Sequence, residues 1–377
     1  MTPPPASERK ERDMGFRCGI IGLPNVGKST IFNALTAAGA EVANYPFCTI
    51  NPNIGIVSVP DPRLECIAGI IHPPKVTFTT MEFVDIAGLV KGASRGEGLG
   101  NKFLGNIRDV DAIVHVVRCF DDPDVAHVHG VIDPAGDIEV VGMELLLADL
   151  ETAEKRIQKL EKSARGGDKG NCREVELYHR VRESLGRGVP VRNIVLNLEE
   201  EIMLREVNFI TAKKVLYVAN VGESELKGES GYVAAVDEIA RSAGSEAIVI
   251  CGDMEAEIAA LPEEDRREFF EDLGLRESGL QKLIRTGYNL LGLITFYTTV
   301  GSELRAWTIP EGTSASHAAG KIHTDMERGF IRAEVLHYED FVRVGSMSVA
   351  KEKGLVGIEG KEHPIGDGDI VHFRFNV

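Results

Sequence analysis

The chain has 377 residues, enough for two or three domains with real cores, and a formal net charge of −16. That charge argues against gripping nucleic acid non-specifically by bulk electrostatics, and leaves only a local basic stretch between residues 151 and 187, with Lys155, Lys159, Arg173 and Arg180 among its cations. The six cysteines (Cys18, Cys48, Cys66, Cys119, Cys172 and Cys251) are scattered and form no C-x-x-C pair, which argues against a disulfide framework or zinc site and fits a reducing, cytoplasmic setting. No apolar run approaches the roughly 18–20 residues that span a bilayer, so a membrane partner is not expected.

Residues 1–13, MTPPPASERKERD, are polar and proline-rich with no apolar core of a signal peptide, and read as a disordered leader. FRCGII (16–21) is a short apolar run closed by glycine, the mark of a buried strand, and STIFNALTAAG follows at helical spacing to a stop at Gly39. MEFVDIAGL (81–89), AIVHVVRCF (112–120), VLYVAN (215–220) and EAIVICG (246–252) are further strands separated by helical stretches. Apolar strands alternating with helices imply an α/β fold with a doubly wound, mostly parallel sheet. From about residue 142 the texture changes. Leu146, Leu150, Ala153, Ile157, Leu160 and Ala164 step by fours and threes, ARGGDKGN (164–171) breaks the run, and Val175, Tyr178, Val181 and Leu185 start a second helix. This is a helical hairpin inserted between strands. From about residue 291 β-rich runs and turn clusters announce a separate C-terminal α+β domain.

Gly22 to Ser29, GLPNVGKS, fits G-x-x-x-x-G-K-S between a strand and a helix, the context a phosphate-binding loop needs. Glycines let backbone N–H groups close around phosphate oxygens, and the helix directs its positive end at them. Lys28 is placed to reach the β- and γ-phosphates and the Ser29 hydroxyl to ligate Mg²⁺. Asp85 ends a strand in Asp-Ile-Ala-Gly, where a Walker-B carboxylate holds Mg²⁺ through water, and Gly88 is placed to offer its N–H to the γ-phosphate. Between them NYPFCTINPN (44–53) contains Thr49, whose hydroxyl is a candidate to complete the Mg²⁺ shell. Leu89 stands where Ras-like GTPases carry the glutamine that orients water, so hydrolysis is slow or another group does that work. The Gly-rich stretch 92–104 reads as a switch loop.

VLYVANVGES (215–224) ends a strand where a guanine-reading Asn-Lys-x-Asp would sit, and reads Asn220-Val221-Gly222-Glu223. Val221 has no lysine stem to cover the base, and Glu223 is a methylene longer than the aspartate that accepts from guanine N1–H and the 2-amino group. Losing such a bidentate pair removes about 10⁴-fold of discrimination or more. Adenine has neither donor; its N6 amino group needs an acceptor, which a backbone carbonyl supplies. The residues therefore say that guanine preference is lost, and the small Gly222 and Ser224 leave GTP open as a secondary substrate.

Together GLPNVGKST, NYPFCTINPN, VDIAGLVKGASRGEGLGNKFL, HVVRCF, AWTIPEGTSASHAAGKIHTD and the final HFRFNV resemble the Obg-like ATPase (YchF) family of P-loop proteins, from Met14 to the C-terminus. The resemblance implies an OBG-type P-loop nucleotide-binding domain over 14–141 and 211–290, a helical coiled-coil insertion over 142–210 and a β-grasp-like TGS domain over 291–377. It implies ATP hydrolysis with Mg²⁺, ribosome association and a role in translation or stress response. The family's ATP-contacting stretch falls on Asn25, Val26, Gly27, Lys28, Ser29 and Thr30, its Mg²⁺ ligands on Ser29 and Thr49, and its backbone contact to the base on Val221, beside Asn220 and Glu223. A hydrophobic residue replaces the catalytic glutamine in the family, as Leu89 does here, and the histidine proposed as its substitute matches His127. Asparagine at the position of Asn25 helps several related proteins bind K⁺ beside the phosphates, which makes K⁺ a second candidate cation.

Two other readings compete. A P-loop kinase for a small molecule needs a second substrate pocket with a basic lid, and the Asp-x-x-Gly switch and TGS-like tail argue against it. A nucleotide-dependent binding module, with hydrolysis only as a slow timer, is compatible with Leu89. An RNA contact through the helical or the C-terminal domain needs a local patch or an exposed aromatic such as Trp307, because residues 291–377 hold 9 Lys and Arg against 12 Asp and Glu.

Overall fold

The computed structural model describes residues 16–38, 53–86, 99–123, 125, 130–164, 171–226, 230–262, 265–266, 277–300 and 302–376. The described residues gather in two compact units, one drawn from 1–56 and 82–283, the other from 57–81 and 284–377.

The first unit is built on a six-stranded sheet. Its strands are β1 (Arg17–Ile21), β2 (Ile54–Ser58), β4 (Thr80–Asp85), β5 (Ala112–Arg118), β6 (Lys214–Asn220) and β7 (Glu246–Ile250), in the order β2-β4-β1-β5-β6-β7. β1 pairs in parallel with β4 and with β5, β5 with β6, and β6 with β7. The central strands are the continuously apolar ones: every residue of β5 is buried, as is β6 from Val215 onward. That is the pattern of parallel strands covered on both faces. β1 lies between β4 and β5, so the direction of winding reverses there, and in open α/β sheets ligands bind beyond the carboxyl ends of the strands at such a point. The phosphate loop leaves β1 there, and Asp85, Cys119 and Val221 sit at or just past the ends of the neighbouring strands. Helix α1 (Lys28–Ala38) follows the loop, and α3 (Leu99–Arg108) precedes β5.

The insertion is a helical hairpin as its seam demands. Helix α4 (Pro134–Ala164) packs on α5 (Asn171–Gly186), and Ala153, Ile157, Leu160, Leu177, Tyr178, Val181 and Leu185 close into one buried cluster, with Leu146, Leu150 and Val175 packed against it. α4 starts at Pro134, earlier than the change of texture at 142. Asp133 caps it, its carboxylate accepting the Gly136 N–H at 3.0 Å, with proline in the first helical position. The hairpin returns through α6 (Leu198–Arg205), which opens on a capping box between Asn197 and Glu200. The buried Asp149 carboxylate of α4 then accepts the N–H groups of Ile210 and Thr211 at 3.0 and 2.7 Å, fixing the segment that leads into β6.

The second unit carries another six-stranded sheet, from β3 (Lys75–Thr77), β8 (Leu293–Val300), β9 (Glu303–Pro310), β10 (Phe330–Leu336), β11 (Gly357–Glu359) and β12 (Ile370–Phe375), in the order β11-β10-β12-β8-β9-β3. β3 and helix α2 (Pro62–Ile71) come from the excursion 57–81, far away in sequence. Leu64 and Ile67 of α2 share a core with Tyr297, Leu304, Leu336 and Phe341. Arg63 bonds both Asp61 and Asp367, and the Tyr297 hydroxyl donates to Asp61 at 2.5 Å. Trp307 packs against the sheet's other core, stacked on Phe296 at 6.5 Å, with its indole N–H donated to Thr298 Oγ1 at 2.9 Å. Arg305 covers its ring at 4.1 Å.

Candidate active site

The phosphate loop takes its shape from three residues with positive φ: Gly22 at 153°, Asn25 at 61° and Gly27 at 90°. At Gly22 a side chain would place its first carbon 2.4 Å from the Val116 carbonyl, and at Gly27 2.1 Å from Asn220 Nδ2, so both positions are closed to anything larger. Asn25 is one of the few non-glycine residues at ease in a left-handed conformation, so its backbone role is visible in the fold independently of any cation. The loop ends at the amino terminus of α1, where unsatisfied N–H groups and the helix dipole favour an anion.

Lys28 is buried, and its ammonium donates to the Leu23 carbonyl at 2.6 Å. Burial pulls its pKa down to about 8, against the pull of the Asp85 carboxylate. His115, on β5, lies deep in the same region. Burial and the charge of Lys28 hold its pKa down at about 3, so the ring is neutral at physiological pH and adds no second cation. Tyr217 flanks it at 5.5 Å between ring centroids.

Ser29 Oγ donates to Asp85 Oδ2 at 3.1 Å, which brings together the two side chains expected at a magnesium ion, although 56 residues separate them. Asp85 Oδ1 is buried and has no hydrogen-bond partner among the described residues, an arrangement that a protein normally avoids. A hydroxyl and a carboxylate with an unused oxygen at the mouth of a phosphate loop fit a hard divalent cation that keeps water and phosphate as its remaining ligands. Among the described residues no group of three or more His, Cys, Asp or Glu gathers as an all-protein metal cage. Thr49, the other expected ligand, lies outside the described residues, as do Gly88, Leu89 and His127.

Where the sequence places the base, Asn220 is buried and acts as a latch. Its Nδ2 donates to the Val26 carbonyl at 2.9 Å and its Oδ1 accepts the Gly252 N–H at 2.9 Å, tying the phosphate loop to the start of α7 (Gly252–Ala260). The Val221 N–H goes to the Ile250 carbonyl at 2.9 Å, so the group this residue has left to offer a base is its carbonyl. Glu223 is exposed, in a short 3₁₀ turn over Glu223–Glu225. Thr30 lies in the first turn of α1.

Sequence reasoning passed over Arg118, the last residue of β5 and one of the most deeply buried large side chains, at 1% exposed. Its guanidinium bonds the carbonyls of Phe120, Asp122 and Val125 at 3.2, 3.2 and 2.9 Å and stacks on the Phe120 ring at 4.5 Å. The available signal was an arginine closing an otherwise apolar strand.

Residues 17–155 match the family model described as a 50S ribosome-binding GTPase, and residues 293–376 match the YchF-GTPase_C model, described as a protein of unknown function. The "Ribosome-binding ATPase YchF" of Haemophilus influenzae is 52% identical over 364 residues, covering 97% of this chain and 100% of that protein. The chain belongs to the YchF family. The Bacillus subtilis protein of the same name is 51% identical over 366 residues with the same coverage. The solved structure of the Schizosaccharomyces pombe YchF GTPase is 37% identical and superposes with a TM-score of 0.86, over 96% of this chain and 98% of that one. The YchF fold thus accounts for the P-loop domain, its inserted helices and the C-terminal domain together.

Proposed function

We propose that this YchF chain binds ATP with Mg²⁺ in preference to GTP, hydrolyses it to ADP and phosphate, and does so in association with the ribosome, in the cytoplasm, as a switch acting on translation or stress response. The reading rests above all on the mouth of the phosphate loop, where Lys28, Ser29 and an Asp85 carboxylate with one unpartnered oxygen converge. It is supported by relatives named ribosome-binding ATPase at about half identity over nearly the whole chain.

The chain's own groups divide the work. The N–H groups at the start of α1 and the Lys28 ammonium take the charge of the phosphate tail, and Gly88 adds its N–H to the γ-phosphate. Ser29, Thr49 and Asp85 would hold Mg²⁺, which when bound would supply positive charge to offset that of the phosphate tail. Leu89 leaves water unoriented, and His127 takes over that task as the catalytic group. The Val221 carbonyl accepts from the adenine N6 amino group, with Asn220 holding the loop and Glu223 lacking the geometry to read guanine. Asn25 would hold K⁺, which when bound would supply a further positive charge toward the phosphate tail. The C-terminal TGS domain and the helical hairpin carry the ribosome contact, to which Trp307, already spent on packing and on Thr298, adds little.

A calorimetric panel of ATP, ADP, GTP and GDP, each with Mg²⁺, tests the base preference: ADP and ATP are expected to titrate tightly, and tight GDP binding with no response to ADP overturns it. Leu89 also favours a second reading, in which the output is docking and hydrolysis is only a timer. Steady-state turnover with and without ribosomes separates the two, since strong stimulation supports the switch and ATP-dependent docking without turnover supports the timer.

A further inference from the structure

We propose that Arg118 is a positioning residue for the base end of the nucleotide site, acting through the loop it encloses and never touching the nucleotide. The inference rests on the reading of Asn220–Glu223 as the base loop. Arg118 and Asn220 are direct partners in the β5–β6 pairing, and beyond them the Cys119 N–H donates to the Asn220 carbonyl at 2.7 Å, so the two strand ends leave the sheet side by side. Phe120 follows immediately, and a carbon added at Gly222 would lie 4.0 Å from its Cβ. The Phe120 segment is therefore a wall of the loop that carries Val221.

That wall has little regular structure of its own. Residues 119–122 form neither helix nor strand, and the carbonyls of Phe120, Asp122 and Val125 all turn inward onto one guanidinium. A planar fork with five donors in fixed directions is suited to pinning three carbonyls at once, which a flexible ammonium is not. Burying a cation in this way is unfavourable unless its hydrogens are all engaged, and an arginine used only to fill space would be replaced at less cost by an aliphatic residue. What the guanidinium adds is a single conformation for the loop, with Phe120 stacked on its face and held against Gly222.

The phosphate end is built from other parts: the Lys28 bond to Leu23, the Ser29 bond to Asp85 and the Asn220 latch on Val26 involve no Arg118 atom. Loss of Arg118 should therefore weaken binding through the base while leaving binding through the phosphates. The test is titration of the full chain with Mg–ATP and with Mg–tripolyphosphate, which lacks the base, for wild type, Arg118→Met and Arg118→Lys. Arg118→Met is expected to weaken ATP at least tenfold and tripolyphosphate less than twofold. Arg118→Lys, which keeps the buried cation but reaches fewer carbonyls, should fall between and guards against a methionine variant that fails to fold. ATP affinity within twofold of wild type in both variants overturns the proposal, as does a parallel loss of both ligands in a variant that melts like wild type. If the wild type binds tripolyphosphate as tightly as ATP, the base-loop reading itself fails, an outcome visible before any variant is made.

Discussion

Asn220→Ala is the perturbation that separates a latch from a base reader. The amide is 4% exposed and makes two bonds of 2.9 Å, to the Val26 carbonyl and the Gly252 N–H. Alanine leaves both backbone groups buried without partners. Two net bonds at ~1 kcal/mol each, with part of the desolvation of the stranded groups added, come to about 3 kcal/mol. For a unit of this size that corresponds to a fall in melting temperature of ~6–12 °C. Because Val26 belongs to the phosphate loop, affinity for Mg–ATP and for Mg–tripolyphosphate should drop together, unlike the split expected for Arg118. Gly27→Ala attacks the same bond from the other side, since its added carbon would sit 2.1 Å from Asn220 Nδ2. The two substitutions should therefore be far from additive. Calorimetric melting without nucleotide and titration with both ligands make the measurement. A melting temperature within ~2 °C of wild type, or a loss confined to ligands that carry a base, refutes the latch.

Nucleotide affinity should depend on pH through Lys28. Its pKa stands at about 8 without phosphate and rises when phosphate binds, so binding takes up a proton once the pH exceeds 8. Titrations should show affinity flat with respect to this group below pH 8 and falling above it, by up to about tenfold per unit; Lys28→Met should bind weakly at every pH. Ser29→Ala should shift the Mg²⁺ concentration for half-maximal ATPase upward with little change in melting temperature, since Ser29 is exposed and its hydroxyl bonds the Asp85 carboxylate. Lys213→Met should destabilise the chain by about 3 kcal/mol in chemical unfolding, because its ammonium holds the carbonyls of Arg108 and Val110 and the Asn208 side chain at 3.0, 2.6 and 3.0 Å. Replacing Na⁺ by K⁺ should raise turnover if Asn25 binds that cation, and unchanged turnover sinks the idea.

The parts of this molecule legible in the sequence are those whose signal is local. An uninterrupted apolar run says central strand, as β5 and β6 are, and the four-three spacing from Leu146 to Leu160 says hairpin seam, as their shared cluster is. The motif from Gly22 to Ser29 announces its ligand because the conformation it needs restricts the residue types, and Asn25 at φ 61° belongs to that restriction as much as the glycines do. What stayed hidden depends on partners distant in the chain. Nothing local in residues 57–81 says that α2 and β3 cluster with residues 284–377. Their membership is settled by Leu64 and Ile67 meeting Tyr297, and by Arg63 meeting Asp367 across 304 positions.

The same distinction runs through the site. The groups suited to act on a nucleotide, Lys28, Ser29 and Asp85, announce themselves by type and spacing, because phosphate and magnesium chemistry admits few alternatives. Asn220, which latches the phosphate loop, and Arg118, which pins the segment after β5, spend their side chains on backbone carbonyls and amides, and a backbone atom leaves no trace in the identity of the residue that carries it. Val26 and Val125 could be many residues and still offer those atoms. Base selectivity built on such a frame is tuned by loop shape as much as by the residues facing the base. That is why the loss of Asn-Lys-x-Asp is readable from sequence as a preference removed, whereas the proposed part of Arg118, Phe120 and the Val221 backbone in base selection is not.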